Sequence, residues 1–276
     1  MIKLRNLKLK NRYFLAPMAE VNDIVFRLLC KKAGAGLTYT GMIHPLSRQK
    51  LELDDKPSLQ LFSSDEKGIK EFIKKYDMEV SLWDFNLGCP VKRAGEGGYG
   101  YFLQDLKMIE RILKVMREST KKPITVKLRK SSQALKIVKI AEKYCDAISI
   151  HPRTLQQGYS GKADISFAED IKKKSKLPII YSGDVNEANV FDLLEKFDFV
   201  MIGREAIGNP NIFAKLTNSK VSLGFNDYLK LTKKYKLPFK QVKFQAINFT
   251  KKRGNAKKLR MELMNAKNIE DISKII

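Results

Sequence analysis

Two short segments concentrate the reactive side chains of this 276-residue chain. The first is Asn86-Leu87-Gly88-Cys89-Pro90, followed by a stretch holding Gly95, Gly97, Gly98 and Gly100. A cysteine on a glycine-rich loop can reach a ligand, and a thiol, mostly protonated at neutral pH, can serve as a general acid. The opposing reading is a buried small hydrophobe, the usual state of a free cysteine. For Cys30 and Cys145, which fall in helical patterns, that second reading prevails. The other segment is His151-Pro152-Arg153-Thr154. A histidine and an arginine two residues apart can donate hydrogen bonds to polar ligand atoms. A capping histidine is the alternative, and His44 is assigned no role.

Further candidates lie where short apolar runs end. Ser182-Gly183-Asp184-Val185 and Gly203-Arg204 pair glycine amides with a guanidinium, a combination suited to a phosphate dianion. Ordinary turn glycines would explain either pair alone. Lys127 interrupts Ile124, Val126 and Leu128, and an unpaired charge is costly to bury. It must therefore face something polar, such as an anionic cofactor ring, or else snorkel to water. Gln60 and Ala16-Pro17-Met18 end two other runs; each alone reads as packing.

Eight such runs recur: 13–17, 37–42, 58–62, 81–86, 124–128, 147–150, 178–181 and 199–202. They are too short for helices, and continuous apolar runs suit strands buried on both faces. Amphipathic stretches lie between them. Asn22-Asp23 caps one that ends at Gly34, and Met108 to Arg117, Gln133 to Lys143 and Glu187 to Lys196 show helical spacing. The alternation predicts an α/β fold, a (β/α)8 TIM barrel, over residues 1–222. An open doubly wound sheet is the competing topology, but no Gly-x-Gly-x-x-Gly turn follows the first run. In such barrels function gathers at the strands' C-terminal ends, with a phosphate site often built after strands 7 and 8.

From residue 223 to 276 only helical periodicity is visible. Asn255 to Ala266 is one segment, and Asn268 reads as the cap of a last short helix. This small C-terminal helical domain holds 14 Lys or Arg against 4 Asp or Glu, a net charge of +10. The whole chain has 53 Lys and Arg against 30 Asp and Glu, a formal charge of +23. Such a field favours an anionic partner, nucleic acid or a membrane surface, unless lysine merely solvates every face. No apolar run approaches the roughly 20 residues a bilayer requires, and Met1 to Arg12 does not read as a secretory signal. The three cysteines are far apart, so no metal site is expected, and a reducing cytoplasm is the default location.

Taken in order, Leu15-Ala16-Pro17-Met18-Ala19, Asn86-Leu87-Gly88-Cys89-Pro90, His151-Pro152-Arg153-Thr154 with Gln157, Tyr159, Ser160 and Gly161, Ser182-Gly183-Asp184 and Ile202-Gly203-Arg204 resemble the tRNA-dihydrouridine synthase family. The resemblance extends through Phe249-Thr250-Lys251 and Lys257-Lys258-Leu259-Arg260. It implies bound FMN, NADPH (or NADH) as reductant, and a C-terminal domain that grips tRNA. It further implies that Ala16, Pro17, Met18, Gln60, Lys127 and His151 line the flavin ring or ribityl chain. Ser182, Gly183, Asp184, Gly203 and Arg204 would hold the ribityl end and phosphate. Asn86 and Arg153 would lie near the uracil, and Cys89 would donate the proton. Because they cluster in the helical segment after the barrel, Lys251, Lys252, Arg253, Lys257 and Lys258 are expected to contact tRNA phosphates, and the chain is expected to act as a monomer. Ser182, Gly41, Tyr99, Tyr101 and Ile165 stand where the family more often has other residues. Two alternatives stay open: a flavin barrel reducing a free dihydroorotate- or enoate-type molecule, and a non-catalytic RNA-binding barrel.

Overall fold

The computed structural model describes residues 2–251 and 253–276. It opens with a short antiparallel hairpin, Ile2–Leu4 (β1) and Leu7–Leu9 (β2). Eight parallel strands follow: Tyr13–Leu15 (β3), Tyr39–Ile43 (β4), Ser58–Leu61 (β5), Leu82–Leu87 (β6), Ile124–Arg129 (β7), Ala147–His151 (β8), Ile179–Tyr181 (β9) and Phe199–Ile202 (β10). They are hydrogen-bonded in the order β3-β10-β9-β8-β7-β6-β5-β4. A parallel bridge between Phe14 and Leu37 joins β3 to the chain entering β4, closing the barrel. All eight strands coincide with the eight apolar runs, and the expected barrel class is what the chain adopts.

Residue alternation along each strand separates two apolar layers. One set of side chains faces outward and packs under the helices. Ile109, Ile112, Leu113 and Met116 form the buried face of Leu106–Ser119 (α4), after α1 (Ile24–Lys32), α2 (Ile69–Tyr76) and α3 (Lys92–Glu96). Burying each such side chain contributes about 1.5–3 kcal/mol. The Asp105 carboxylate caps α4 by accepting from the Lys107 and Met108 amides, which adds about 1 kcal/mol. The other set faces the barrel axis. Phe14, Tyr39, Leu82, Ala147, Ile180 and Phe199 meet Leu4 and Leu9 of the hairpin in a separate cluster. The hairpin thus plugs the N-terminal end of the barrel, and Arg5 is tied to Asp146 beside β8 at 3.0 Å.

The remaining helices are α5 (Ala134–Tyr144), α6 (Ile165–Lys174), α7 (Val190–Lys196), α8 (Asn211–Leu216), α9 (Phe225–Thr232), α10 (Phe239–Phe249), α11 (Ala256–Asn265) and α12 (Ile269–Ile275). The last four form the C-terminal bundle, and Asn268 caps α12 through the Asp271 amide. Phe225, Tyr228, Val242, Ala246 and Phe249 share one apolar core with the outer barrel layer. The polar joint is Asp23, the N-cap of α1, whose Oδ2 accepts from Tyr228 (3.1 Å), Gln241 (2.8 Å) and Gln245 (2.7 Å). Gln241 and Gln245 also donate to the carbonyls of Glu20 and Val21. No helix among the described residues is long and apolar enough to cross a membrane.

Candidate active site

The open, C-terminal end of the barrel holds a cavity of about 670 Å³, within the usual range for a cofactor or small-molecule site. Ala16, Pro17, Met18, Gln60, Asn86, Cys89, Lys127, His151, Ser182, Gly183, Asp184, Gly203 and Arg204 all line it. Residues drawn from seven strand ends or the loops beyond them therefore converge.

Cys89 is placed by the end of β6. Asn86 Oδ1 accepts from the Gly88 and Cys89 amides at 3.0 and 2.9 Å, turning the chain sharply after the strand. The glycine-rich loop then folds back, and the Tyr101 amide donates to the Cys89 carbonyl at 3.1 Å. Gly100 is required there: its φ is +63°, and a Cβ would sit 3.0 Å from Cys89 Cβ. The thiol remains half-buried at the cavity wall.

Asp84 and Asn86 lie two apart on β6 and so share the axial face. Asp84 is fully buried. It accepts from Thr125 Oγ1 at 2.5 Å and from Gln60 Nε2 at 2.6 Å, and Asn86 Nδ2 donates to Gln60 Oε1 at 2.8 Å. Burial pushes the Asp84 carboxyl up to about 7, against the hydrogen bonds from Thr125 and Gln60 and the charge of Lys127. Burial also brings the Lys127 ammonium down to about 8, opposed by Asp84 and aided by Arg129. Lys127 therefore remains largely cationic at neutral pH.

His151 is kept neutral. Burial and then the charges of Lys127, Arg129 and Arg153 hold its imidazole well below the ordinary range. Its Nε2 is buried without a protein partner, and a group in that position is expected to bond something else. Arg129, which sequence reasoning passed over, binds the carbonyls of Gly88 (3.1 Å), Thr154 (2.9 Å) and Gly158 (2.8 Å). It thereby ties the cysteine loop to the histidine loop. Its signal was a cation directly after an apolar run, two residues past Lys127, which interrupts that run. Asp84 carried the mirror signal, an acid inside such a run.

Arg153 departs from expectation. The resemblance puts it beside the substrate ring, but it is 1% exposed and does not line the cavity. Its Nε donates to the carbonyl of Ser160, and Nη2 to the carbonyl of Gly161 and to Asp184 at 2.5 Å, while Nη1 is buried without a protein partner. Asp184, in a left-handed conformation with φ +50°, also pairs with Arg204. Burial raises the Asp184 carboxyl, but the Arg153 hydrogen bond, the Ala163 amide and the two guanidinium charges bring it below the ordinary range. Two arginines thus share one carboxylate. Tyr159 is 62% exposed. Its ring lies 5.8 Å from the guanidinium carbons of both Arg129 and Arg204.

A family model described as dihydrouridine synthase (Dus) matches residues 14–272. A "Probable tRNA-dihydrouridine synthase" of Rickettsia bellii (strain RML369-C) is 36% identical over 239 aligned positions, covering 78% of this chain and 73% of that protein. The tRNA-dihydrouridine synthase B of Pasteurella multocida (strain Pm70) is 32% identical over 237 positions, covering 77% and 70%. Among solved structures, the old yellow enzyme homologue from Zymomonas mobilis (NCR) superposes with a TM-score of 0.60 at 11% identity, covering 82% of this chain and 94% of that one. Morphinone reductase in complex with tetrahydroNAD gives 0.55 at 12% identity, covering 82% and 92%. At such identities the structural likeness concerns the barrel alone.

Proposed function

Because this chain belongs to the dihydrouridine synthase family, we propose that it reduces the 5,6-double bond of uridine in tRNA to dihydrouridine. FMN is the bound cofactor in this reading and NADPH (or NADH) the reductant. The observation that carries it is the convergence of Cys89, Lys127, His151 and Arg204 around one cavity.

The residues fit the cofactor. Arg204 and the backbone around Gly183 and Gly203 offer a phosphate dianion a guanidinium and amide donors, while Ser182 and Asp184 would hold the ribityl end. Pro17, Met18 and Ala16 supply an apolar wall. Lys127, Gln60 and the unpartnered His151 Nε2 offer polar contacts to a flavin ring. When bound, the reduced flavin supplies the hydride. Lys127 holds a positive charge where the reacting group gains electrons. Cys89 presents its thiol from the loop over the cavity and donates the proton that completes saturation of the pyrimidine ring. A reducing cytoplasm keeps that thiol free. A stacked uridine must first be extruded, which costs a few kcal/mol. The basic C-terminal helices help to meet that cost through phosphate contacts.

The direct test is anaerobic incubation of the purified protein with tRNA and NADPH, followed by mass analysis of nucleosides. A gain of two hydrogens on uridine is expected, and its absence with fully loaded protein would refute the proposal. Arg204→Ala should weaken FMN binding about 10- to 150-fold, the worth of a charge-assisted contact of about 1.5–3 kcal/mol. Unchanged affinity in a fluorescence titration would remove Arg204 from the phosphate site.

A further inference from the structure

The hydrogen bonds beneath the cavity have a direction. Asp84 accepts from Gln60, Gln60 accepts from Asn86, and Asn86 accepts from the Cys89 and Gly88 amides. Asp84, Gln60 and Asn86 are each at most 8% exposed. We propose that Asp84 is a positioning residue: being an acceptor, its carboxylate sets the sense of the Gln60 and Asn86 amides and so holds the backbone turn that presents Cys89.

The reason lies in the ambivalence of amides. Gln60 and Asn86 each carry one accepting end and one donating end, so either fits its slot both ways round. The ionised carboxylate, the form that the Thr125 and Gln60 hydrogen bonds and the Lys127 charge favour, removes the choice. Gln60 must aim its NH2 at Asp84, which leaves its oxygen for Asn86. Asn86 must then aim its NH2 at Gln60, which leaves its oxygen for the two backbone amides at the turn. Were Asn86 reversed, its NH2 would confront two N–H donors, leaving buried donors without partners. Thr125 from β7 reinforces the arrangement by donating to the other carboxylate oxygen, with Lys127 of the same strand adding a favourable charge. The relay spans three strands, and its length is fixed by the parallel pairing of Gln60 with Asp84 and of Asn86 with Lys127. Its catalytic consequence rests on Cys89 as proton donor; the relay itself does not.

The test reads backbone hydrogen exchange at Gly88 and Cys89 in the flavin-loaded protein. Asp84→Asn should make both amides exchange about 5- to 10-fold faster, the effect of losing one ordinary hydrogen bond. The double variant Asp84→Asn with Gln60→Glu keeps volume and charge but moves the carboxylate one position along the relay. The carboxylate at position 60 then accepts from the side-chain amides at 84 and 86. Asn86 again turns its oxygen toward the backbone, so protection should return to within twofold of wild type. Unchanged exchange in Asp84→Asn, or a double variant no better than the single one, overturns the proposal. For an Asp84→Asn protein that does not fold, the unaltered protein decides. Asn86 Nδ2 lies 3.9 Å from Met42 Sδ, so its protons should show a nuclear Overhauser effect to the Met42 methyl group. A contact from the Asn86 amide protons to the Cys89 N–H instead overturns the relay. Fast exchange in Asp84→Asn beside a fully active Cys89→Ala supports the relay and sinks only the proton-donor assignment. Unchanged exchange beside an inactive Cys89→Ala does the reverse.

Discussion

Cys89→Ala is expected to fold, bind flavin and bind tRNA, yet run its RNA-dependent half-reaction about 10²- to 10⁴-fold slower than wild type, the usual contribution of a positioned acid. Oxidation of NADPH should proceed at the wild-type rate, since that half-reaction needs no proton on the uracil ring. The expectation follows from placement. The thiol is half-buried at the cavity wall, and its turn is held by Asn86 and by the glycine-rich loop. A merely structural cysteine would behave otherwise: alanine would lower stability through a small cavity while turnover per folded molecule stayed near normal. Rapid mixing with tRNA and with free uridine separates these outcomes. Mutant rates equal to wild type would remove Cys89 from the mechanism. Wild-type rates equal for the two oxidants would favour a small-molecule reductase, and a protein purified without colour would favour a non-catalytic RNA-binding barrel.

Neutralising Lys251, Arg253, Lys257 and Lys258 together should weaken tRNA binding roughly a thousandfold at about 0.1 M salt. Each phosphate contact adds about 0.7–0.9 to the slope of log affinity against log salt, so four lost contacts remove about three log units relative to 1 M. These four side chains are exposed at the turn before α11 and along its first residues, and Lys252, expected to act with them, lies outside the described residues. Reduction of the flavin by NADPH should not change. A variant that keeps both the affinity and the salt slope would show this face to be only solvated.

Much of the architecture was legible because strands buried on both faces must be apolar, and that pattern survives without any knowledge of contacts. Eight runs became eight strands, and Asp23 and Asn268 cap helices as their side chains suggested. The floor hairpin was harder to see. Ile2-Lys3-Leu4 and Leu7-Lys8-Leu9 alternate with period two, but three residues are too few to distinguish a strand from a charged leader. At the site, residues just past a strand end were easy to nominate, because the barrel carries every such position to one mouth. What a side chain does there was less legible. Arg153 stands two residues past His151, yet its Nε and Nη2 are turned to the carbonyls of a loop that folds back on it. Asp84 was hidden by the apolar residues around it, and its partners Gln60 and Thr125 lie on neighbouring strands that only the register brings together.

The hairpin also decides how reactants come and go. With Leu4 and Leu9 sealing the far end against Phe14, Tyr39 and Leu82, the chamber is a cul-de-sac. In the proposed reaction the nicotinamide and the nucleobase would therefore share one doorway.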